Sequence, residues 1–213
     1  MKKILLHVVL IVAIAGLAYW FYVIINTPME FERQRKGREA YVIERLKDIR
    51  TAQRAYRSKY LKYTPSFDSL TKFILTDSLV FEHAVGSEDD SVAVAAGRVQ
   101  KTQFKMAVKD TIFPAGFDPE QLQYIPFSNV MNANLGNGDK FEKLRMDTAS
   151  LETESKVVVP VFEAFAPYTT FLGDLNKQEL INFRDLRVNT MGRDDGLKVG
   201  SLTAATNEAG NWE

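Results

Sequence analysis

The side chains that could carry catalysis or bind a metal are few in this chain. It contains no cysteine and two histidines, His7 and His83, and His7 lies within an apolar run. The lack of cysteine excludes disulfides, thiolate catalysis and Cys-ligated zinc, and His83 alone cannot supply a His-rich metal site. A Ser-His-Asp triad would have to use His83, and no Gly-x-Ser-x-Gly turn accompanies it.

Loops rich in acid or glycine add little chemistry. Residues 88–90 (Glu-Asp-Asp) and 194–195 (Asp-Asp) lack the spacing of a calcium loop. Residues 136–138 (Gly-Asn-Gly) lack the Gly-Lys-Ser/Thr ending of a phosphate-binding loop and are typical of a turn. Glu152 and Glu154 would share one strand face, but nothing else in the sequence supports paired-carboxylate catalysis. We therefore predict no catalytic residue, no metal site and no cofactor, and we do not expect an enzyme.

The run Ile4–Ile25 is the most informative segment, because its twenty-two residues include no Asp, Glu, Lys or Arg. As a helix it would be roughly 33 Å long, enough to cross a hydrocarbon core of about 30 Å. The alternative is a cleaved secretory signal with Ala13–Ala15 as its small-residue site. The apolar run continues well past that site, and Tyr19, Trp20 and Tyr22 lie where an aromatic belt is expected, so we favour an uncleaved anchor.

The orientation of this anchor follows less directly from the charges. Lys2 and Lys3 precede it, and residues 33–38 carry four cations among acidic neighbours. Counted literally, the positive-inside rule does not favour export of the C-terminal part. Long domains are translocated largely regardless of flanking charge, however. We therefore expect a single pass through an inner membrane, with the C-terminal domain in the periplasm.

The residues after the anchor predict an amphipathic stem helix. Thr27, Pro28 and Glu30 have the form of a capped helix start, so we expect the spanning helix to break or kink there and a second helix to begin. An apolar stripe then recurs at helical spacing and consists of Val42, Leu46, Ile49, Ala52, Tyr56 and Tyr60. The other face carries a row of cations, here called the basic row, which consists of Lys47, Arg50, Arg54 and Arg57.

The basic row belongs to a wider charge asymmetry. Residues 30–62 hold eleven Lys and Arg against five Asp and Glu, and residues 63–213 hold fourteen against twenty-two. A basic stem can rest over anionic headgroups, or it can bind another subunit or a polyanion. Tyr56, Tyr60 and Tyr63 are close enough to stack on bases. Because these tyrosines fall on or near the apolar stripe, we expect them to be buried and the basic face to be solvated.

The remaining residues predict a head with grouped strands. Ser66 caps a short helix, and alternating apolar residues over 103–109 and 157–161 predict half-buried strands. Pro160 cannot donate to a ladder, which predicts an edge strand. Asn176 caps a helix that reaches Val188, with Leu180, Phe183 and Leu186 pointing inward. We therefore predict an α+β fold with a mostly antiparallel sheet, divided into an anchor (1–26), a basic stem (27–62) and a head (63–213).

The segment 46–70 (LKDIRTAQRAYRSKYLKYTPSFDSL) resembles the junction between stem and head in type IV pilins and type II secretion pseudopilins. The matching residues are Ile49, Ala52, Ala55, Tyr56, Tyr60, Tyr63, Pro65 and Leu70. The resemblance implies a spanning helix that continues as a stem, followed by an antiparallel sheet. The chain departs from the family because it lacks the prepilin peptidase site and has Val8 where pilins carry an assembly glutamate. It also resembles single-span envelope proteins of Gram-negative bacteria.

These features favour a structural subunit of a cell-envelope assembly that acts through protein contacts. Its expected partners are the membrane and other envelope proteins or copies of itself, with no small-molecule substrate. The alternative is a module that binds a polyanion, either nucleic acid or anionic lipid, through the basic row. Nucleic acid is the less favoured of these ligands.

Overall fold

The computed structural model describes residues 2–85, 100–153 and 156–213, which form an α+β fold. The helices are α1 (Lys2–Tyr60), α2 (Phe67–Thr76), α3 (Val108–Ile112), α4 (Ser128–Asn134), α5 (Tyr168–Leu172) and α6 (Lys177–Asp185). A 3-10 turn covers Pro119–Gln123, and a π turn covers Leu186–Thr190. The strands are β1 (Ser78–Val85), β2 (Gln100–Ala107), β3 (Arg145–Glu152), β4 (Val158–Pro167) and β5 (Gly196–Gly200). They form two antiparallel sheets, β1-β2 and β3-β4-β5, which confirms the predicted fold class.

Helix α1 is continuous and contains Pro28 in its interior, so the predicted start of a second helix is wrong. Thr27 does not cap a new helix, because its hydroxyl donates backwards to the Val23 carbonyl at 2.8 Å. The Glu30 carboxylate accepts from Arg33 at 2.8 Å instead of closing a capping box. Pro28 removes one backbone hydrogen bond from α1, and the helix continues through it.

The first part of α1 has no protein packed around it. Every described side chain of the run Ile4–Ile25 is exposed, in contrast to the later part of the same helix. Within the described residues, α1 is the one helix long and apolar enough to cross a membrane.

The described residues pack into two compact units. The first unit comprises Met1–Glu44, Ile125–Glu142 and Ala166–Leu197. The second unit comprises Arg45–Tyr124, Lys143–Phe165 and Lys198–Glu213. The division into anchor, stem and head follows the roles of the segments rather than their packing, and it stays a prediction.

The first unit packs one side of residues 30–44 of α1 against α4, α5 and α6. Its α6 begins where the sequence predicts, because the Asn176 side chain accepts from the backbone N–H groups of Gln178 and Glu179 at 3.0 and 3.1 Å. Leu180 is buried as predicted. Leu186 is 47% exposed and not inward, because the wider π turn that begins there shifts its side chain off the buried face.

The second unit contains the pairing of β1 with β2 and of β3 with β4. Strand β2 ends at Ala107, and Val108 begins α3 instead of continuing the predicted alternation. Ser66 caps α2 as predicted, and its hydroxyl accepts from the Ser69 N–H at 3.4 Å.

The prediction that Pro160 marks an edge strand is wrong, because β4 lies between β3 and β5. Strand β5 ends at Gly200, whose backbone lies against the Phe162 carbonyl. Pro160 lies beyond the end of β5, so no partner there requires the N–H that proline lacks.

Candidate interaction surface

The basic row lies on the part of α1 that belongs to the second unit, where it meets the C-terminal segment (residues 198–213). Arg50 Nη1 donates to Glu213 Oε1 at 2.7 Å. Arg54 Nε donates to Glu208 Oε2 at 2.6 Å, and Arg57 Nη1 lies 3.5 Å from Glu208 Oε1. Three of the four cations are therefore paired with carboxylates of the same chain.

Glu208 is the centre of this surface. Its carboxylate is 9% exposed and also accepts from the Tyr63 hydroxyl, which in turn accepts from Arg57 Nη1 at 2.9 Å. Burial would raise the pKa of Glu208, but the hydrogen bonds from Tyr63 and Arg54 outweigh it and lower that pKa. Burial, with the hydrogen bond to Glu208, raises the pKa of Tyr63 to about 12. At neutral pH the pair is therefore a carboxylate and a protonated phenol.

The loop that presents Glu208 has an unusual backbone. Asn207 and Glu208 both have left-handed conformations, with φ of 53° and 57°. Gly200 at the start of the loop has φ of 75°, and a Cβ there would lie 2.1 Å from the Phe162 carbonyl oxygen. The loop encloses a cavity of about 200 Å³ together with Tyr63 and Phe162.

This arrangement is suited to holding segments together rather than to proton transfer. A carboxylate whose pKa is lowered and a phenol whose pKa is raised do not exchange a proton near neutral pH. Glu208 is instead fully engaged by charge-assisted hydrogen bonds, which are stronger than neutral ones. The site thus fastens the C-terminal segment to α1.

Lys47 is an exposed member of the basic row, as is Arg54. The hydrogen bond from Arg50 lowers the pKa of Glu213, and Lys47 adds to this effect from a greater distance. Four cations therefore face two carboxylates, Glu208 and Glu213. Binding of a polyanion to the basic row stays a prediction, and these ion pairs reduce the charge that a polyanion would meet.

The apolar stripe is buried along most of its length. In the first unit Val42 has no exposed surface, and in the second unit the same holds for Leu46, Ile49 and Ala52. Tyr56 is half-buried, with its ring edge-on to Phe73 at 5.2 Å.

Tyr60 lies at the end of the stripe and is 44% exposed. Its hydroxyl donates to Asp77 Oδ2 at 2.7 Å. The expected burial of this ring is therefore wrong, because α1 ends at Tyr60 and its polar tip remains at the surface.

Gln53 is a buried polar residue that the sequence reading missed. Its Nε2 donates to the Thr64 carbonyl at 2.6 Å, and its Oε1 accepts from the Thr64 N–H at 3.2 Å. This pair of bonds anchors the chain where it leaves α1. The available signal was spacing, because Gln53 follows Ile49 by four residues and precedes Tyr56 by three, which places it on the buried face.

The first unit has its own polar connection. Arg38 donates to Asp174 Oδ1 at 2.5 Å and to the Phe171 carbonyl at 2.6 Å, and Asn134 donates to Asp174 Oδ2 at 2.6 Å. Burial would raise the pKa of Asp174, but the hydrogen bonds from Arg38 and Asn134 hold it below its usual value. This network joins α1, α4 and the end of α5.

The acidic residues that could attract a cation are described only in part. Within residues 2–85, 100–153 and 156–213, no group of three or more metal-ligating side chains occurs. Asp195 accepts from Arg184 Nε at 2.7 Å, so it serves as an ion-pair partner. Residues 88–90 and Glu154 lie outside the described part of the chain.

Comparison of this chain with protein-family models gave no match, and neither did comparison with curated proteins or with solved structures. Its function is therefore inferred from its own residues.

Proposed function

We propose that this chain is a membrane-anchored structural subunit of a cell-envelope assembly that acts through protein–protein contacts. In this proposal Ile4–Ile25 crosses the inner membrane once, the N-terminus is cytoplasmic and the folded remainder is periplasmic.

The continuity of α1 is the observation that carries this proposal. One helix combines an exposed apolar run with a later part whose stripe residues are buried. Exposed apolar surface on this scale is unfavourable in water at about 25 cal/mol per Å², and a bilayer removes this penalty. Because α1 is not broken at Pro28, the apolar run and the first folded residues of α1 belong to one continuous helix.

The polar residues support a role in contacts rather than catalysis. The best-formed polar cluster, around Glu208, is saturated by hydrogen bonds within the chain. The order of elements, with a spanning helix that continues as a stem before antiparallel strands, resembles that of pilins. Val8 stands where pilins carry an assembly glutamate, and this difference distinguishes the proposed subunit from the pilins.

Purification of the full-length tagged protein from its native membrane in mild detergent tests this proposal. Mass spectrometry and electron microscopy of the eluate should reveal stoichiometric envelope proteins or a regular assembly. An untagged membrane is the control, and a clean monomer would overturn the proposal.

Topology can be tested separately because the chain has no cysteine. A Glu44→Cys variant carries its thiol at an exposed position on α1 beyond the apolar run. A membrane-impermeant maleimide should label this thiol in cells with a permeabilised outer membrane. Labelling only after the inner membrane is lysed would place the domain in the cytoplasm. The mass of the purified chain distinguishes an uncleaved anchor from a cleaved signal.

A further inference from the structure

An apolar groove lies on the first unit between α1 and α6. The rings of Phe31 and Phe183 are 6.3 Å apart across it, and its volume is about 440 Å³. We call it the juxtamembrane groove, and its apolar lining consists of Pro28, Met29, Phe31, Phe183 and Leu186.

Helix geometry places this groove beside the end of the apolar run. Met29 lies four residues after Ile25, and Phe31 lies six residues after Ile25. These separations correspond to about 6 and 9 Å along the helix axis. The headgroup layer on each side of a bilayer is about 5–8 Å deep. If Ile4–Ile25 spans the membrane, the groove therefore opens at the level of the headgroups.

The groove is preformed, and its apolar atoms face outward. Phe183 is fixed by an edge-on contact with Tyr168 at 5.0 Å and by the Arg35 guanidinium, which lies 4.5 Å from its ring centre. Met29 is nevertheless 64% exposed, and Leu186 is also exposed. A rigid wall with exposed apolar side chains indicates a surface that is covered by something other than this unit.

The rim of the groove is polar and consists of Glu32, Glu179 and Asn182. An apolar floor inside a polar rim is complementary to an amphiphile, and the depth along α1 places the groove within the headgroup layer, outside the acyl chains. The depth is the feature that favours lipid over a second protein, because an apolar floor with a polar rim also fits a protein partner.

We propose that the juxtamembrane groove takes the glycerol and headgroup region of a bilayer phospholipid, so that α6 docks on the membrane surface. This inference rests on the proposed membrane anchor. The docking would fix the first unit against the bilayer instead of leaving it attached by α1 alone.

Site-directed spin labelling of the full-length protein tests this docking. Single nitroxides are attached to Leu186→Cys in the groove, Ile14→Cys in the apolar run and Glu44→Cys further along α1. Each variant is reconstituted in vesicles of phosphatidylethanolamine and phosphatidylglycerol, and thermal melts check that each folds. Collision rates with oxygen and with a water-soluble nickel chelate then report depth.

The Leu186 label should collide with the nickel chelate several-fold less often than the Glu44 label, and with oxygen more often. A Leu186 label as aqueous as Glu44, with the Ile14 label embedded, would overturn the docking while leaving the anchor intact. An aqueous Ile14 label would overturn the anchor and the docking together. A Leu186 label shielded from both reagents, with dipolar broadening between copies, would identify a protein interface and overturn lipid docking. A Met29→Cys label provides a second position within the same groove.

Discussion

Replacing Glu208 by Gln should loosen the C-terminal segment from α1. The carboxylate accepts hydrogen bonds from Tyr63 and Arg54, and Arg57 lies 3.5 Å away. The variant preserves the shape of the side chain but removes its charge, so the two guanidinium groups would face a neutral amide.

The magnitude of this effect follows from the burial of each partner. A hydrogen bond to a charged group contributes about 1.5–3 kcal/mol to stability. The Arg54 side chain is 52% exposed, so water screens part of its interaction, and an amide oxygen can still accept one bond. We therefore expect the free energy of unfolding to fall by about 1–2 kcal/mol. Glu163→Gln is the matched control, because Glu163 meets Lys198 at 3.8 Å in an ion pair that is partly exposed.

Trp212 provides the assay because it lies within the C-terminal segment. The other tryptophan is Trp20, so a Trp20→Phe background leaves one fluorescent reporter. Urea unfolding of the full-length protein in detergent should show a lower midpoint by Trp212 emission in Glu208→Gln, and almost no change in Glu163→Gln. Equal midpoints for these two variants would refute the idea that the Glu208 carboxylate holds the segment.

Three further predictions concern the same unit. Leu46→Asp puts a charge at a fully buried position and should abolish the cooperative melt measured by circular dichroism. The control is Lys47→Asp at the exposed neighbouring position, which should change stability by about 0.5 kcal/mol or less. A native melt in Leu46→Asp would contradict this packing. Gly200→Ala should cost about 1–3 kcal/mol in urea unfolding, because its Cβ would strike the Phe162 carbonyl, and an unchanged midpoint would contradict the close approach. The pKa of Glu208 is lower in the folded than in the unfolded chain. The stabilisation by its carboxylate is therefore present above the ordinary carboxyl pKa and is lost as pH falls through the folded pKa. Below about pH 5 the melting temperature should decline less steeply in Glu208→Gln than in the parent, and parallel declines would disprove this linkage.

Local signals in the sequence predict where a helix or strand begins better than they predict which elements lie beside it. The Asn176 cap depends on N–H groups two and three residues away, and the start of α6 follows it. The position of β4 depends on β5, more than thirty residues later, so Pro160 alone could not reveal it. Thr27 and Pro28 have the composition of a helix start, but the hydroxyl bonds to Val23 behind it. In the cases of Pro160 and of Thr27 with Pro28, the residues had two compatible geometries, and contacts outside the local motif selected one.

Gln53 shows how residue type can conceal a core position. Helical spacing placed it on the buried face, but an amide is costly to bury without partners. Its partner is the Thr64 backbone, which the chain supplies just after α1 ends. Its Nε2 also lies 3.1 Å from Met146 Sδ, a residue 93 positions away. Helical periodicity is therefore sufficient to place Gln53 on the buried face, although its polarity alone favours an exposed position.

Pairing within the second unit explains part of the charge asymmetry of the chain. The basic stem and the acidic remainder are nearly matched in excess charge, and the structure joins them at Arg50–Glu213, Arg54–Glu208 and Lys59–Asp77. A basic helix face considered alone suggests that it binds an external anion. The carboxylates that pair with it in this chain lie far away in sequence and are not visible locally. When an acidic segment of the same chain can reach that face, its carboxylates are present at a high effective concentration. They therefore compete with an external anion for the cations. The acidic distal half thus supplied the counter-charge for the basic row, and the two segments of opposite charge were themselves the signal that they pair.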